Sequence, residues 1–136
     1  MDLTSGYPWW PIRHGLIRAY PRLATDVTTD VAIIGGGITG ALVAWHLAEA
    51  GIEAVVVDKR DIGWGSTSAT TALLQYEIDT SLAELTKLLG WSHASRAYLA
   101  CLDALGKIEQ VVKRVGNTCG YERKKSLYLA RKKRDL

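Results

Sequence analysis

Between Val31 and Asp58 the chain runs VAIIGGGITGALVAWHLAEAGIEAVVVD, and this stretch limits the possible folds more than any other. Val31-Ala32-Ile33-Ile34 is a short apolar run bounded by glycine, too short for a helix, and it predicts a buried strand. Gly35, Gly37 and Gly40 then make G-x-G-x-x-G. Ala41, Leu42, Ala44, Trp45, Leu47 and Ala48 belong to a segment of good helix formers that closes at Gly51. Ala54-Val55-Val56-Val57 is β-branched and ends on an acid, Asp58.

Strand, glycine turn, helix, strand and acid in that order form the dinucleotide fingerprint, and each part has a physical task. Gly35 permits the tight turn, Gly37 lets backbone approach a pyrophosphate, and Gly40 lets the helix sit close to the strand. The first helical turn offers unpaired N–H groups and the positive end of the helix dipole. Asp58, 18 residues beyond Gly40, stands where a carboxylate can accept ribose hydroxyls. The bland alternative is a flexible glycine loop, which would not need both strands, the helix and the acid in sequence.

At 136 residues the chain is one domain at most. A dinucleotide fold has five or six parallel strands, whereas one βαβ unit is visible here. Two parallel strands leave faces and edges uncovered, so the expectation is a Rossmann-type α/β unit followed by helices, as the N-terminal part of a larger two-domain protein. Four segments follow. Residues 1–29 hold Pro8, Pro11 and Pro21 and form an irregular arm, whose Tyr7, Trp9, Trp10 and Tyr20 pack on the domain. Residues 30–78 carry the βαβ unit and a short helix near the ligand. Residues 79–116 form a helical connecting layer, and residues 117–136 begin a second, incomplete sheet. Ser81 and Glu84 make a capping box for the first connecting helix, which stops at Gly90. Ser92 opens a longer helix with an apolar stripe of Tyr98, Leu102, Leu105, Ile108, Val112 and Val115. Ser126-Leu127-Tyr128-Leu129-Ala130 alternates like a strand.

After Asp58 come Gly63-Trp64-Gly65 and then Ser66-Thr67-Ser68-Ala69-Thr70-Thr71, five hydroxyl residues in six positions. Either Ser66 or Thr67 caps a short helix, or this second helix start supplies further donors to the ligand of the first.

The net charge of +3 divides into −4 up to Val112 and +7 from Lys113. The basic end could meet nucleic acid or a membrane surface, but its alternation with apolar residues fits a strand with solvated flanks, so neither partner is expected. Cys101 and Cys119 have no C-x-x-C spacing, no secretory leader is visible, and the longest apolar stretch is broken by glycines and His46. A reducing, cytoplasmic location is expected. His14, His46 and His93 are scattered, so no metal is expected. No serine sits in a nucleophile elbow. A bound cofactor would therefore carry the chemistry.

GGGITG, Asp58 at the end of the second strand and GWGSTSATTALL together resemble the N-terminal FAD-binding segment of the D-amino-acid-oxidase-like flavoproteins, of the glycine oxidase and gamma-glutamylputrescine oxidoreductase type. Tyr20-Pro21, Asp30-Val31 and Gly63-Trp64-Gly65 strengthen the likeness. The resemblance implies that Gly35, Gly37, Ile38, Thr39 and Gly40 cradle the FAD pyrophosphate, and that Asp58 binds the adenosine ribose with Lys59 beside it. It further implies that Gly65, Ser66 and Thr67 contact the diphosphate and ribityl region, and that Thr70, Thr71, Ala72 and Leu73 lie near the flavin ring. Members often carry Ser-Gly-Arg-Asn-Gly-Gly where Thr67-Ser68-Ala69-Thr70-Thr71-Ala72 stand here. That departure bears on the ring contacts, not on the phosphate site. The implied reaction is oxidation of a C–N bond in a small amine or amino acid, with hydride passing to the flavin. Two alternatives stand beside it. One is an NAD(P)-linked dehydrogenase fragment, with Asp58 disfavouring a 2′-phosphate and Lys59-Arg60 tolerating one; the other is a non-catalytic truncated product.

Overall fold

In a computed structural model, residues 6–15, 18–116, 119–127 and 129 are described. They divide into two compact units, Met1–Leu73 and Leu74–Leu136.

The first unit is built on two parallel strands, β1 (Val31–Ile34) and β2 (Ala54–Val57), paired from Val31↔Ala54 to Ile34↔Val57. Parallel strands need a crossover, and α1 (Ile38–Glu49) supplies it, packing against both. Gly51, at φ 71°, ends this helix because an L side chain is strained there, and the Ile52 N–H bonds back to Leu47 O. Close packing of helix on strand depends on Gly40. A Cβ built there would lie 2.0 Å from Gly35 O, which is backbone and cannot yield.

The arm before β1 is not wholly irregular. Trp9–His14 forms one short helix, here αN, with Pro8 as its N-cap. Pro11 falls in its first turn, where N–H groups lack intrahelical acceptors, so proline is tolerated rather than breaking the helix. αN packs on a short 3₁₀ turn, η1 (Ser66–Ala69).

The second unit is a helical hairpin of α2 (Leu82–Leu89) and α3 (Trp91–Arg114), joined through Gly90 alone at φ 78°. The expected capping box is present: the Glu84 N–H donates to Ser81 Oγ at 3.2 Å and the Ser81 N–H to Glu84 Oε2 at 3.3 Å. The long helix starts at Trp91 rather than Ser92, because Gly90 serves as C-cap of one helix and N-cap of the next. Ala94 is completely buried in the hairpin, and the Tyr98 hydroxyl donates to Thr80 O at 2.8 Å. Residues 121–127 contain no strand; Tyr128 and Ala130 of the expected strand lie outside the described residues. Ser126 instead donates to Glu77 Oε1 at 2.9 Å, and Arg123 pairs with Glu109.

Apolar cover is sparse. Ile33 and Ala94 are the buried hydrophobic residues among those described, while Ile34 is 90 % exposed.

Two glycine substitutions should therefore act in opposite directions. Gly40→Ala should destabilise by about 2–4 kcal/mol, because its methyl group meets a carbonyl. Gly106→Ala should stabilise by about 0.5–1 kcal/mol, since Gly106 sits inside α3 with open space where a Cβ would point. Urea midpoints of the two variants check both signs.

Candidate functional site

The glycine turn and the tip of β2 are joined by hydrogen bonds that the fingerprint does not display. The Gly36 N–H donates to Asp58 Oδ2 at 2.7 Å, and the Arg60 N–H donates to Asp58 Oδ1 at 2.9 Å. The Gly35 N–H bonds to Val57 O at 2.7 Å, and the Gly63 N–H to Gly36 O at 2.9 Å. Gly36 is buried, and a Cβ there would lie 3.3 Å from the Ile62 side chain and 3.5 Å from Asp58 Oδ2. The middle glycine of the three thus sits tightly against Ile62 and Asp58, and a side chain there would need Ile62 to shift by a few tenths of an ångström. Motif matching misses it, because the fingerprint leaves that position free. Its only sequence signal is the unbroken run Gly35-Gly36-Gly37.

The N-terminus of α1 meets η1. The Ile38 N–H donates to Thr67 Oγ1 at 3.0 Å, and a Cβ on Gly37 would lie 3.1 Å from the same oxygen. As an acceptor to Ile38, the Thr67 hydroxyl keeps its own proton for a second partner. Thr39 and Gly40 complete the first turn, whose amides lack intrahelical acceptors. η1 is closed by Ser68, which is buried: its hydroxyl donates to Gly65 O at 2.7 Å and accepts from the Gly65 N–H at 3.4 Å. The N-cap is thus Gly65, at φ 142°, rather than Ser66 or Thr67. The Arg60 guanidinium lies against Gly65, 3.3 Å from where a Cβ would be.

The structure therefore brings together Gly35, Gly37, Ile38, Thr39, Gly40 and Asp58, with Gly65 and Thr67 beside them through Thr67 and the Gly63–Gly36 bond. Lys59 follows Asp58 on the exposed tip, and Ser66 faces outward on η1. Residues 70–73 run on from η1 outside any helix or strand and are exposed. Thr70 is the C-cap of η1, its Oγ1 accepts the Ala72 N–H at 3.2 Å, Ala72 is left-handed at φ 58°, and Leu73 is 76 % exposed. Thr71 is also exposed. What reaches this segment is the arm: the Trp10 indole N–H donates to Thr70 O at 2.8 Å across sixty residues.

This donor set suits a dinucleotide. Helix-terminal amides and hydroxyls fit phosphate, while Asp58 keeps acceptor capacity, since a carboxylate has about four lone-pair sites. Among the described residues no group of His, Cys, Asp and Glu could hold a metal ion, and no helix is long and apolar enough to cross a membrane.

The amides hold Asp58 ionised. Its pKa lies below the ordinary value of 3.8, first because of the Gly36 N–H and then because of the Arg60 N–H. A lowered folded pKa means the stabilisation is complete above 3.8 and is lost as pH falls through the lowered value. The Asp58 carboxyl carbon should titrate by NMR with a midpoint below 3.8. Asp58→Asn, which turns an NH₂ toward one of the two amides, should remove this acid-side dependence from the stability profile.

The FAD dependent oxidoreductase family, DAO, matches residues 30–136. The putative Rieske 2Fe-2S iron-sulfur protein YhfW of Bacillus subtilis is 34 % identical over 94 residues, covering 69 % of this chain and 18 % of that protein. Gamma-glutamylputrescine oxidoreductase of Escherichia coli is 29 % identical over 102 residues, covering 75 % of this chain and 24 % of the relative. Glycine oxidase of Bacillus licheniformis is 42 % identical over 45 residues, covering 33 % and 12 %. The chain thus spans a quarter or less of these relatives. No solved structure matches significantly. A glycine turn fastened to the acid of its second strand, in a chain matched by this family over residues 30–136, identifies a member of the FAD-dependent oxidoreductase (DAO) family, with FAD as its cofactor.

Proposed function

We propose that this chain is the FAD-binding portion of a two-domain flavoprotein that oxidises a C–N bond in a small amine or amino acid. The observation that carries the reading is the Thr67–Ile38 hydrogen bond, which seats the hydroxyl-rich turn on the N-terminus of α1. That contact puts two sets of donors on one surface, as an extended cofactor running past the second strand requires. Gly35, Gly37, Ile38, Thr39 and Gly40 would hold the pyrophosphate, and Asp58, with Lys59 beside it, the adenosine ribose. Gly65, Ser66 and Thr67 would meet the diphosphate and ribityl region, and Thr70, Thr71, Ala72 and Leu73 the flavin ring. When bound, FAD accepts the hydride; the chain's own residues bind it and fix its orientation.

The amine or amino-acid substrate rests on the names of two relatives, gamma-glutamylputrescine oxidoreductase and glycine oxidase. The larger architecture rests on the bare sheet, with Ile34 90 % exposed, and on the greater length of the relatives. Cys101 and Cys119, neither of them in a disulfide, support a reducing compartment such as the cytoplasm. A second reading concerns where the electrons go. The likeness to a protein named for a Rieske 2Fe-2S centre favours an iron–sulfur acceptor in place of oxygen.

The full-length protein should purify yellow and release FAD on denaturation. Gly37→Val, whose side chain would displace Thr67 and crowd the turn, should retain at least about ten-fold less. Mixed anaerobically with γ-glutamylputrescine or glycine, the bound flavin should bleach, and its re-oxidation rate in air separates an oxidase from an iron–sulfur-linked dehydrogenase. Bleaching by a 2-hydroxy acid or a polyol but by no amine would sink the C–N assignment.

A further inference from the structure

The arm's aromatic residues are not spread evenly over the first unit. Trp10 is half-buried, its ring stacks on His14 at 6.1 Å between centroids and 10° between planes, and its indole N–H ends on Thr70 O at 2.8 Å. Thr70 is the residue at which η1 gives way to the segment 70–73. Beyond it the backbone turns left-handed at Ala72, a conformation that an L side chain other than Asn or Asp holds only against a steric cost. Two bonds stand against that cost: the one from Trp10 to the Thr70 carbonyl, and the one from the Ala72 N–H to Thr70 Oγ1. Both converge on Thr70. The other end of the same turn is seated on α1 by Thr67.

We infer that Trp10 is a positioning residue for the cofactor: through Thr70 it holds the backbone of residues 70–73 at a set distance from the N-terminus of α1. The inference rests on the assignment of residues 70–73 to the flavin ring made above. It adds that the spacing between the phosphate end and the ring end of the site is governed by an indole on the arm, outside the fingerprint. Trp9, on the same short helix but 58 % exposed and with the Arg13 guanidinium over its ring, has no such part.

The test compares FAD-loaded full-length protein with Trp10→Phe, with a variant carrying benzothienylalanine at position 10, and with Trp9→Phe. Benzothienylalanine keeps the bicyclic shape and lacks the N–H donor, so it reports on the hydrogen bond even where phenylalanine disturbs the fold. Loss of one such bond should raise the FAD dissociation constant about five-fold. It should also change the visible circular dichroism of the bound flavin and speed amide hydrogen exchange at residues 71–73 in the cofactor-free protein. Trp9→Phe should match wild type in all three. Unchanged dichroism and exchange in both position-10 variants would overturn the inference while leaving the FAD assignment intact. A wild-type protein that binds no FAD would overturn the assignment, and the inference with it. Accelerated exchange at 71–73 with unchanged flavin dichroism would overturn the link from this segment to the ring.

Discussion

A single carboxylate holds the first unit in register with itself. Asp58 receives the Gly36 amide from 22 residues away and so ties the end of β2 to the turn that leaves β1. Three glycines in a row have more backbone freedom to lose than any other tripeptide, and without a fastening they would sample many turns. Here the middle glycine has both backbone groups satisfied, its N–H by Asp58 and its carbonyl by Gly63. The turn is thus shaped before a ligand arrives. The same acid that is suited to ribose hydroxyls also braces the loop suited to phosphate. The two functions are compatible because a carboxylate accepts more bonds than two amides supply.

The sequence made the βαβ unit legible because each of its signals is local. A β-branched run, a glycine stop and a Ser81–Glu84 box all act within a few residues. The elements that the sequence does not announce depend on contacts that spacing does not encode. Pro11 breaks a helix in most contexts, and only its place in a first turn makes αN possible. Gly90 ends one helix and begins the next, which moves the start of α3 to Trp91. The parts of the candidate site behave likewise. Gly37, Gly40 and Asp58 were legible from their order. The bonds that assemble them with η1 and the arm span 22, 29 and 60 residues and belong to tertiary structure. Of the alternating residues after Lys125, 126 and 127 lie outside any strand, and Ser126 bonds to Glu77, a contact 49 residues away that periodicity does not encode.

The second unit also accounts for part of the charge asymmetry. Glu109 takes ion pairs from Lys113, one helical turn on, and from Arg123 beyond the helix. Those cations hold its pKa below the ordinary 4.5, the Lys113 bond foremost. Two of the basic residues that look like a polyanion-binding run are therefore engaged in fastening the chain after α3 back onto that helix. This interaction is exposed and will weaken with salt.

The bare strand pair has a consequence for the life of the polypeptide in solution. Among the described residues β1 and β2 pair only with each other, and Ile34 stands almost fully in water on one of them. Such a ribbon offers hydrogen-bonding rungs and a greasy side chain to any passing extended segment. Held at high concentration without cover, these 136 residues would nucleate intermolecular ladders, and a holdase chaperone would compete for the same rungs.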